Sequence, residues 1–167
     1  LGKLQLERAM LAQQLGARAL QVGQLVALRS QPAGLANLVV SEVHYRPAPP
    51  NAAEHAAGFD QRSRFEFVEL MNIGTTPIDL TGVRLGAGLD YTFDAASAVR
   101  DLAPGALALI VADPAAFEAR YGKGLPVAGA FQLGSNLDDS GERLQILAAD
   151  GTFIRDFAYN DRAPWPE

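Results

Sequence analysis

Residues 136–142 contain the densest group of residue types that bind metal ions. Three carboxylates and one amide lie close together there, on Asn136, Asp138, Asp139 and Glu142. Oxygen ligands in a flexible loop could bind calcium, but no glycine occupies the position that an EF-hand loop requires between its acids. A solvated turn that leads into a strand explains the same residues. We therefore predict no metal site, and Asp138, Asp139 and Glu142 are the candidate ligands if calcium binds.

The two histidines offer a second possible metal site. His44 ends a predicted strand, and His55 follows Glu54 in a long loop, so two imidazoles and one carboxylate could bind a metal ion. A site of three histidines is excluded, because the sequence contains only two. The favoured interpretation is that both histidines lie at the surface or at a strand end without a ligand role. The sequence has no cysteine, so it forms neither a thiolate site nor a disulfide.

Glu66 and Glu69 are the carboxylates nearest to the centre of a predicted strand. Such a pair acts as acid and base only across a cleft of suitable width, and residues three apart in a strand project to opposite faces. We expect Glu69 to pair with an arginine such as Arg84 or Arg143. The sequence has no G-x-S-x-G, H-E-x-x-H or phosphate-loop pattern. We predict no catalytic residue and no cofactor.

The charge is distributed unevenly along the sequence. Residues 1–35 carry a net charge of +3, and residues 36–167 carry −8. A region this acidic repels a phosphate backbone, which disfavours a nucleic-acid partner. The more natural partner for the basic segment is the acidic region itself, or that of a neighbouring molecule.

Four aromatic residues could form a binding surface, and they are Tyr45, Tyr91, Tyr159 and Trp165. A nucleic-acid surface would need basic residues between them. The favoured interpretation places Trp165 over the core as a lid near the end of the fold, because Pro164 and Pro166 hold it in an extended segment.

Alternating and continuous apolar runs predict eight short strands. They cover residues 38–45, 65–72, 78–80, 83–85, 91–93, 106–111, 142–147 and 153–159. We expect the apolar run 106–111 at the centre of the core. Turn residues follow at 72–77 and 150–151, and Gly82 predicts a bulge or a tight bend. This pattern is typical of an all-β sandwich and shows no alternation of strands with helices.

Two other segments have different signals. Asp113 and Pro114 predict the start of a short helix that ends at Gly122. Residues 46–63 read as a long loop without secondary structure, which is usually functional or mobile.

Residues 1–29 predict one amphipathic helix, because they lack proline and are rich in leucine, alanine and glutamine. Its apolar strip suits packing on a protein surface, and a coiled coil and a membrane-surface helix are the alternatives. Residues 30–37 read as a linker, with a proline and a glycine that stop the helix. No apolar run is long enough to span a membrane.

Five stretches of the chain resemble the lamin-tail domain family in its bacterial form. They read VVSEVHYRP, FEFVELMNIGTTPIDLTGVRL, LAPGALALIVADPAAFEARYG, NLDDSGERLQILAADG and FAYNDRAPWP, in the same order and spacing, between residues 39 and 166. The resemblance implies an immunoglobulin-like β-sandwich over residues 38–167. Members usually continue beyond the last stretch into one more strand, so we expect an unpaired sheet edge here, open to strand addition or dimerisation.

The resemblance implies a non-catalytic protein-interaction or scaffold module of a larger secreted or envelope-associated bacterial protein. It would bind a protein partner, not yet identified, through loops or an exposed sheet edge. One alternative is an assembly domain that forms a homodimer through the helix or the open edge. A second is a calcium- or metal-binding accessory domain of an extracellular enzyme.

Overall fold

The computed structural model of the protein describes residues 34–132 and 134–162. These residues form ten β-strands, two α-helices and two short 3-10 helices. The strands are β1 Leu38–His44, β2 Phe67–Asn72, β3 Ile78–Asp79, β4 Arg84–Gly86, β5 Tyr91–Thr92, β6 Asp101–Leu102, β7 Leu107–Val111, β8 Val127–Ala130, β9 Arg143–Leu147 and β10 Phe153–Ala158. The helices are α1 Ala52–Ala56 and α2 Pro114–Tyr121, with 3-10 helices at Leu35–Asn37 and Arg62–Phe65.

Three predictions fall wholly or partly outside the described residues. The amphipathic helix at 1–29 and the lid residue Trp165 lie outside them, as does the first half of the linker at 30–37. These features, and dimerisation through the helix, stay predictions.

Two four-stranded sheets form the body of the fold. The first has the order β1-β2-β7-β8, and the second has the order β10-β9-β4-β5. Neighbouring strands are antiparallel except for β7 and β8, which run parallel. Strands β3 and β6 form a separate two-stranded sheet. The predicted all-β sandwich is confirmed.

The main core lies between the two large sheets. The first sheet contributes residues such as Val68, Leu70 and Ile110, and the second contributes Leu144 and Ile146. Each of these side chains is at most 3% exposed. Strand β7 lies between β2 and β8, which confirms the central position predicted for the apolar run 106–111.

The outer face of the first sheet is also covered. Helix α2 places Phe117 against Phe67, Leu109 and Val111, and these four side chains form a second buried cluster. Asp113 begins this helix as predicted, since its Oδ1 accepts hydrogen bonds from the N–H groups of Ala115 and Ala116. Strand β2 is therefore apolar on both faces because each face has its own cover.

Two strands were missed. β6 has two residues, and β8 reads Val-Ala-Gly-Ala, which has little strand propensity. Each is defined by the strand beside it: β8 pairs with the buried strand β7, and β6 pairs with β3, which is equally short. Local sequence carries no sign of such a neighbour.

The prediction of a loop without secondary structure at residues 46–63 was wrong. Asn51 and Glu54 form a capping box that starts helix α1: Asn51 Oδ1 accepts from the N–H of Glu54, and Glu54 Oε2 accepts from the N–H of Asn51. The 3-10 helix at Arg62–Phe65 follows. Five helical residues are too few to show a period, so the hydrophobic pattern did not reveal α1.

Candidate functional site

The sandwich has two long strand edges on one side. The outermost strands there are β1 and β10, with seven and six residues, whereas the other side ends in β8 and β5, with four and two. An edge strand presents unpaired N–H and C=O groups, and short edges limit pairing with another chain. Neither β1 nor β10 has a strand on its outer side in the described residues. Within residues 34–132 and 134–162, the long side is therefore the open one.

A groove of about 390 Å³ lies between these two edge strands. Its lining is mostly apolar and consists of Val39, Val40, Ser41, Glu42, Val43, Arg155 and Phe157. Val40, Val43 and Phe157 pack against the core and stay partly exposed. We call these three side chains the groove floor. The side of the sandwich that carries the two long edges is thus a concave surface with an apolar base.

A β-bulge at Ser41 shapes the groove. Val40 pairs with Leu70 and Glu42 pairs with Glu69, so Ser41 is the extra residue in strand β1. Strand periodicity alone would put residues 40 and 43 on opposite faces. The inserted residue turns both Val40 and Val43 towards the core. These two side chains form the part of the groove floor that β1 contributes.

Ser41 is also the hydrogen-bond partner of Glu69, for which an ion pair with an arginine was predicted. Its Oγ donates a hydrogen bond to Glu69 Oε1 at 2.7 Å, so the bulge provides the polar partner of that carboxylate. Arg143 instead binds Asp156, with Nε 2.6 Å from Oδ1. The expectation that Glu69 pairs with Arg84 or Arg143 was wrong, because the bulge in β1 brings a nearer donor.

The charges beside the groove have opposite signs at its two ends. The Glu42 carboxylate is half exposed and lies 3.4 Å from His44 Nδ1. Burial against the Phe67 ring, whose centroid is 4.8 Å away, lowers the pKa of His44, and Glu42 offsets this only in part. His44 is therefore mostly neutral at pH 7, and Glu42 keeps an uncompensated negative charge.

Arg155 supplies the positive charge. Its guanidinium donates to the carbonyl oxygens of Ala36 and Ile154. No carboxylate in the described part of the chain forms an ion pair with it. Ala36 lies just before β1, so the cation sits at the start of that strand and Glu42 lies in its second half.

The histidines and Glu54 are engaged separately. His55 Nδ1 lies 2.9 Å from Asp60 Oδ1. Both carboxylate oxygens of Glu54 accept hydrogen bonds from Arg120, at 2.8 and 2.7 Å. Within residues 34–132 and 134–162, no group of three or more His, Asp or Glu side chains is placed to hold a metal ion.

The acidic run at 136–142 is built into its own loop. Asp138 Oδ1 accepts from the backbone N–H and the hydroxyl of Ser140, at 2.8 and 2.6 Å. Glu142 Oε1 accepts from the N–H of Asp138 and from the hydroxyl of Tyr159. Asp139 forms an ion pair with Arg62. These bonds give each carboxylate a structural partner. The absence of a metal site stays a prediction, and Asp138, Asp139 and Glu142 stay the candidate ligands of the calcium alternative.

Glu66 joins this acidic loop, which the sequence did not reveal. It is 2% exposed, and its Oε2 accepts a hydrogen bond from the N–H of Leu137 at 3.0 Å. Burial raises the pKa of Glu66 to about 7, and the negative charges of Asp139 and Glu142 act in the same direction. Glu66 and Leu137 are 71 residues apart, so no local pattern could have joined them.

The three described tyrosines of the predicted aromatic group are core residues. Tyr45, Tyr91 and Tyr159 are at most 7% exposed. The rings of Tyr45 and Tyr159 lie 4.7 Å apart, and the Tyr91 hydroxyl lies 2.8 Å from Ser97 Oγ. The alternative that these three residues form an exposed aromatic surface is therefore wrong.

The comparison with known families agrees with this architecture. Residues 31–161 match the family described as Lamin Tail Domain. The chain belongs to the lamin tail domain family. No curated protein matches this lamin tail domain. The resemblance seen in the five sequence stretches is thereby confirmed.

Membership determines the general class of the domain. Lamin tail domains are immunoglobulin-like, non-enzymatic modules that act in protein interaction. No helix among the described residues of this lamin tail domain is long and apolar enough to cross a membrane.

Proposed function

We propose that this lamin tail domain is a non-catalytic module that binds a protein partner in the groove between β1 and β10. One observation carries the proposal. The two longest sheet edges lie side by side and flank a partly exposed apolar floor. Main-chain pairing at an open edge provides affinity, and side-chain pockets beside it provide specificity.

The environment of the carboxylates supports a non-catalytic role. Asp138 and Glu142 hold the acidic loop together, Glu69 is bonded to the bulge, and Glu54 is bonded to Arg120. Glu66, with its raised pKa, lies beneath the acidic loop and not in the groove. These carboxylates thus stabilise the fold, and only Glu69 is bonded to a residue that lines the groove, Ser41.

We also propose that the module is part of a larger secreted or envelope-associated bacterial protein. The resemblance to the bacterial form of the family supports this location. Fractionation of the cells that encode the chain, with an antibody against the domain, tests it. We expect the signal in the medium or the envelope, and a signal confined to the cytoplasm would contradict it.

Selection of displayed random heptapeptides on the full 167-residue chain tests binding at the groove. The test variant is Val43→Lys, which puts a charge on the groove floor, and Phe157→Lys is a second variant of the same kind. Thr92→Lys is the matched control, because Thr92 is exposed in β5, an edge strand on the opposite side. Circular dichroism and melting curves select variants that remain folded.

We expect selected peptides to bind the original chain and Thr92→Lys alike. Either floor variant should weaken binding by at least about tenfold, because an inward-pointing charge blocks an edge. The proposed function fails if no peptide is enriched. It also fails if the enriched peptides bind the folded floor variants as tightly as the original chain.

A further inference from the structure

We infer that the groove accepts an extended, aliphatic segment of a partner protein, antiparallel to β1, with a basic residue near its N-terminal end and an acidic residue near its C-terminal end. This inference rests on the proposed function and names the class of its partner. Three observations support it: the size of the groove, the form of its floor, and the charges at its ends.

The size of the groove favours a peptide over a second folded copy. Seven residues line it, whereas a stable interface between folded proteins takes roughly 20–30 residues from each side. A homodimer that touched only this edge would therefore bury too little surface. An extended segment needs less, because its own backbone pairs with the edge strand and only a few side chains must dock.

The groove floor selects an extended aliphatic segment. In a strand every second side chain points to the same face, so alternate residues of the partner would meet Val40, Val43 and Phe157. Valine and isoleucine suit such positions, since branched side chains pack well on a pleated surface. The bulge at Ser41 interrupts the register of β1 with β2, and a bulge also limits pairing on the free edge of its strand. Side-chain contacts with the groove floor must therefore contribute the remaining affinity.

The charges select the direction of the segment. Arg155 is held at the Ala36 carbonyl, before β1 begins, and Glu42 is exposed in the second half of the strand. An antiparallel partner brings its N-terminal part to Glu42 and its C-terminal part to Arg155. A base at the first end and an acid at the second would therefore each meet the opposite charge.

Three synthetic heptapeptides with blocked termini test this inference on the full chain. The first, KVTVTVE, has the inferred order of charges, and EVTVTVK has the reverse order. The third, KVTPTVE, has a central proline, which removes a backbone donor and resists the extended ladder. Isothermal titration measures the affinities, and amide chemical shifts in NMR spectra locate the contact.

We expect KVTVTVE to bind with shifts centred on residues 39–43 and 155–157. EVTVTVK should bind about tenfold more weakly, since two partly exposed charge pairs change from attraction to repulsion. KVTPTVE should bind no more tightly than EVTVTVK. In a Glu42→Lys variant, whose changed side chain is exposed in the original chain, the advantage of KVTVTVE should disappear.

Equal affinities for the two charge orders would overturn the inference. So would failure of KVTVTVE to bind while library peptides still depend on Val43 and Phe157, and in that case the proposed function survives. Loss of both kinds of binding would remove the proposed function as well. Light scattering tests for a dimer of the original chain. If a dimer is present and Val43→Lys dissociates it, the occupant of the groove is a second copy of the chain, and the inference of an extended partner segment is wrong.

Discussion

Arg120 binds both carboxylate oxygens of Glu54, although 66 residues separate the two in the sequence. The same guanidinium lies 3.4 Å from the centre of the Phe65 ring and donates to the Ala48 carbonyl. Arg120 is 14% exposed and Glu54 is 5% exposed. One side chain on helix α2 therefore attaches helix α1 and the segment before it to the body of the sandwich.

Replacing Arg120 by leucine should lower the melting temperature by about 5–10 °C, because it leaves a buried carboxylate without its partner. Arg46→Leu is the control, since Arg46 is exposed and forms no ion pair within the described residues. Differential scanning calorimetry measures both. Equal melting temperatures for the two variants would show that the Arg120–Glu54 pair does not stabilise the fold.

Glu54 should also contribute to loss of stability in acid. The hydrogen bonds from Arg120 are the main reason that the pKa of Glu54 is lowered to about 2. In the unfolded chain, Glu54 is protonated near its usual pKa of 4.5. The contribution of the ionised Glu54 to the free energy of unfolding is therefore complete above pH 4.5 and is lost between about pH 4.5 and 2. Urea unfolding measures the free energy of unfolding of the original chain and of Glu54→Gln. The difference between these two free energies should become smaller as the pH falls across this range. A difference that stays constant down to pH 2 would contradict the lowered pKa.

Glu66 should have the opposite pH dependence. Its pKa is raised to about 7 by burial, so the folded state holds a proton that the unfolded state releases above about pH 4.5. The contribution of this protonation to the free energy of unfolding is complete below pH 4.5, and it is lost as the pH rises through 7. Glu66→Gln keeps an acceptor for the N–H of Leu137 and cannot ionise. We expect it to be more stable than the original chain at pH 8, by on the order of 1–2 kcal/mol after solvent screening, and nearly equal at pH 4.5. Parallel stability curves from pH 4.5 to 8 would sink this assignment.

Gly82 should tolerate a side chain less well than Gly105 does. Both have positive φ, at 78° and 74°, but a Cβ on Gly82 would lie 2.6 Å from the Cβ of Ala149. A Cβ on Gly105 would meet nothing within 4 Å. Gly105→Ala should cost about 1–2 kcal/mol for its backbone conformation, and Gly82→Ala about 1–3 kcal/mol more for overpacking. Equal losses in urea unfolding would mean that the Gly82 turn shifts away from Ala149 without cost.

Local patterns were sufficient for most elements of the sandwich. The alternation in β9 and β10, the apolar run of β7 and the cap at Asp113 depend on residues a few positions apart. Such features depend little on distant segments of the chain, because strand and turn preferences act over short distances in the sequence. The five family stretches extended these local predictions to the whole β domain.

Contacts between distant segments were beyond such patterns. Strand β8 exists because it lies beside β7, and Glu66 has a raised pKa because the acidic loop covers it. The bulge at Ser41 depends on the register between β1 and β2. Each of these features follows from a partner far away in the sequence.

The sequence by itself determined the class of fold, the order of the main strands and the family. Only the tertiary structure decided that β1 and β10 lie side by side with Val40, Val43 and Phe157 between them. Hydrophobic periodicity tells which face of a strand is buried, but it does not tell which strands end a sheet. The edges depend on how the strands pair, and pairing is a property of the folded chain as a whole.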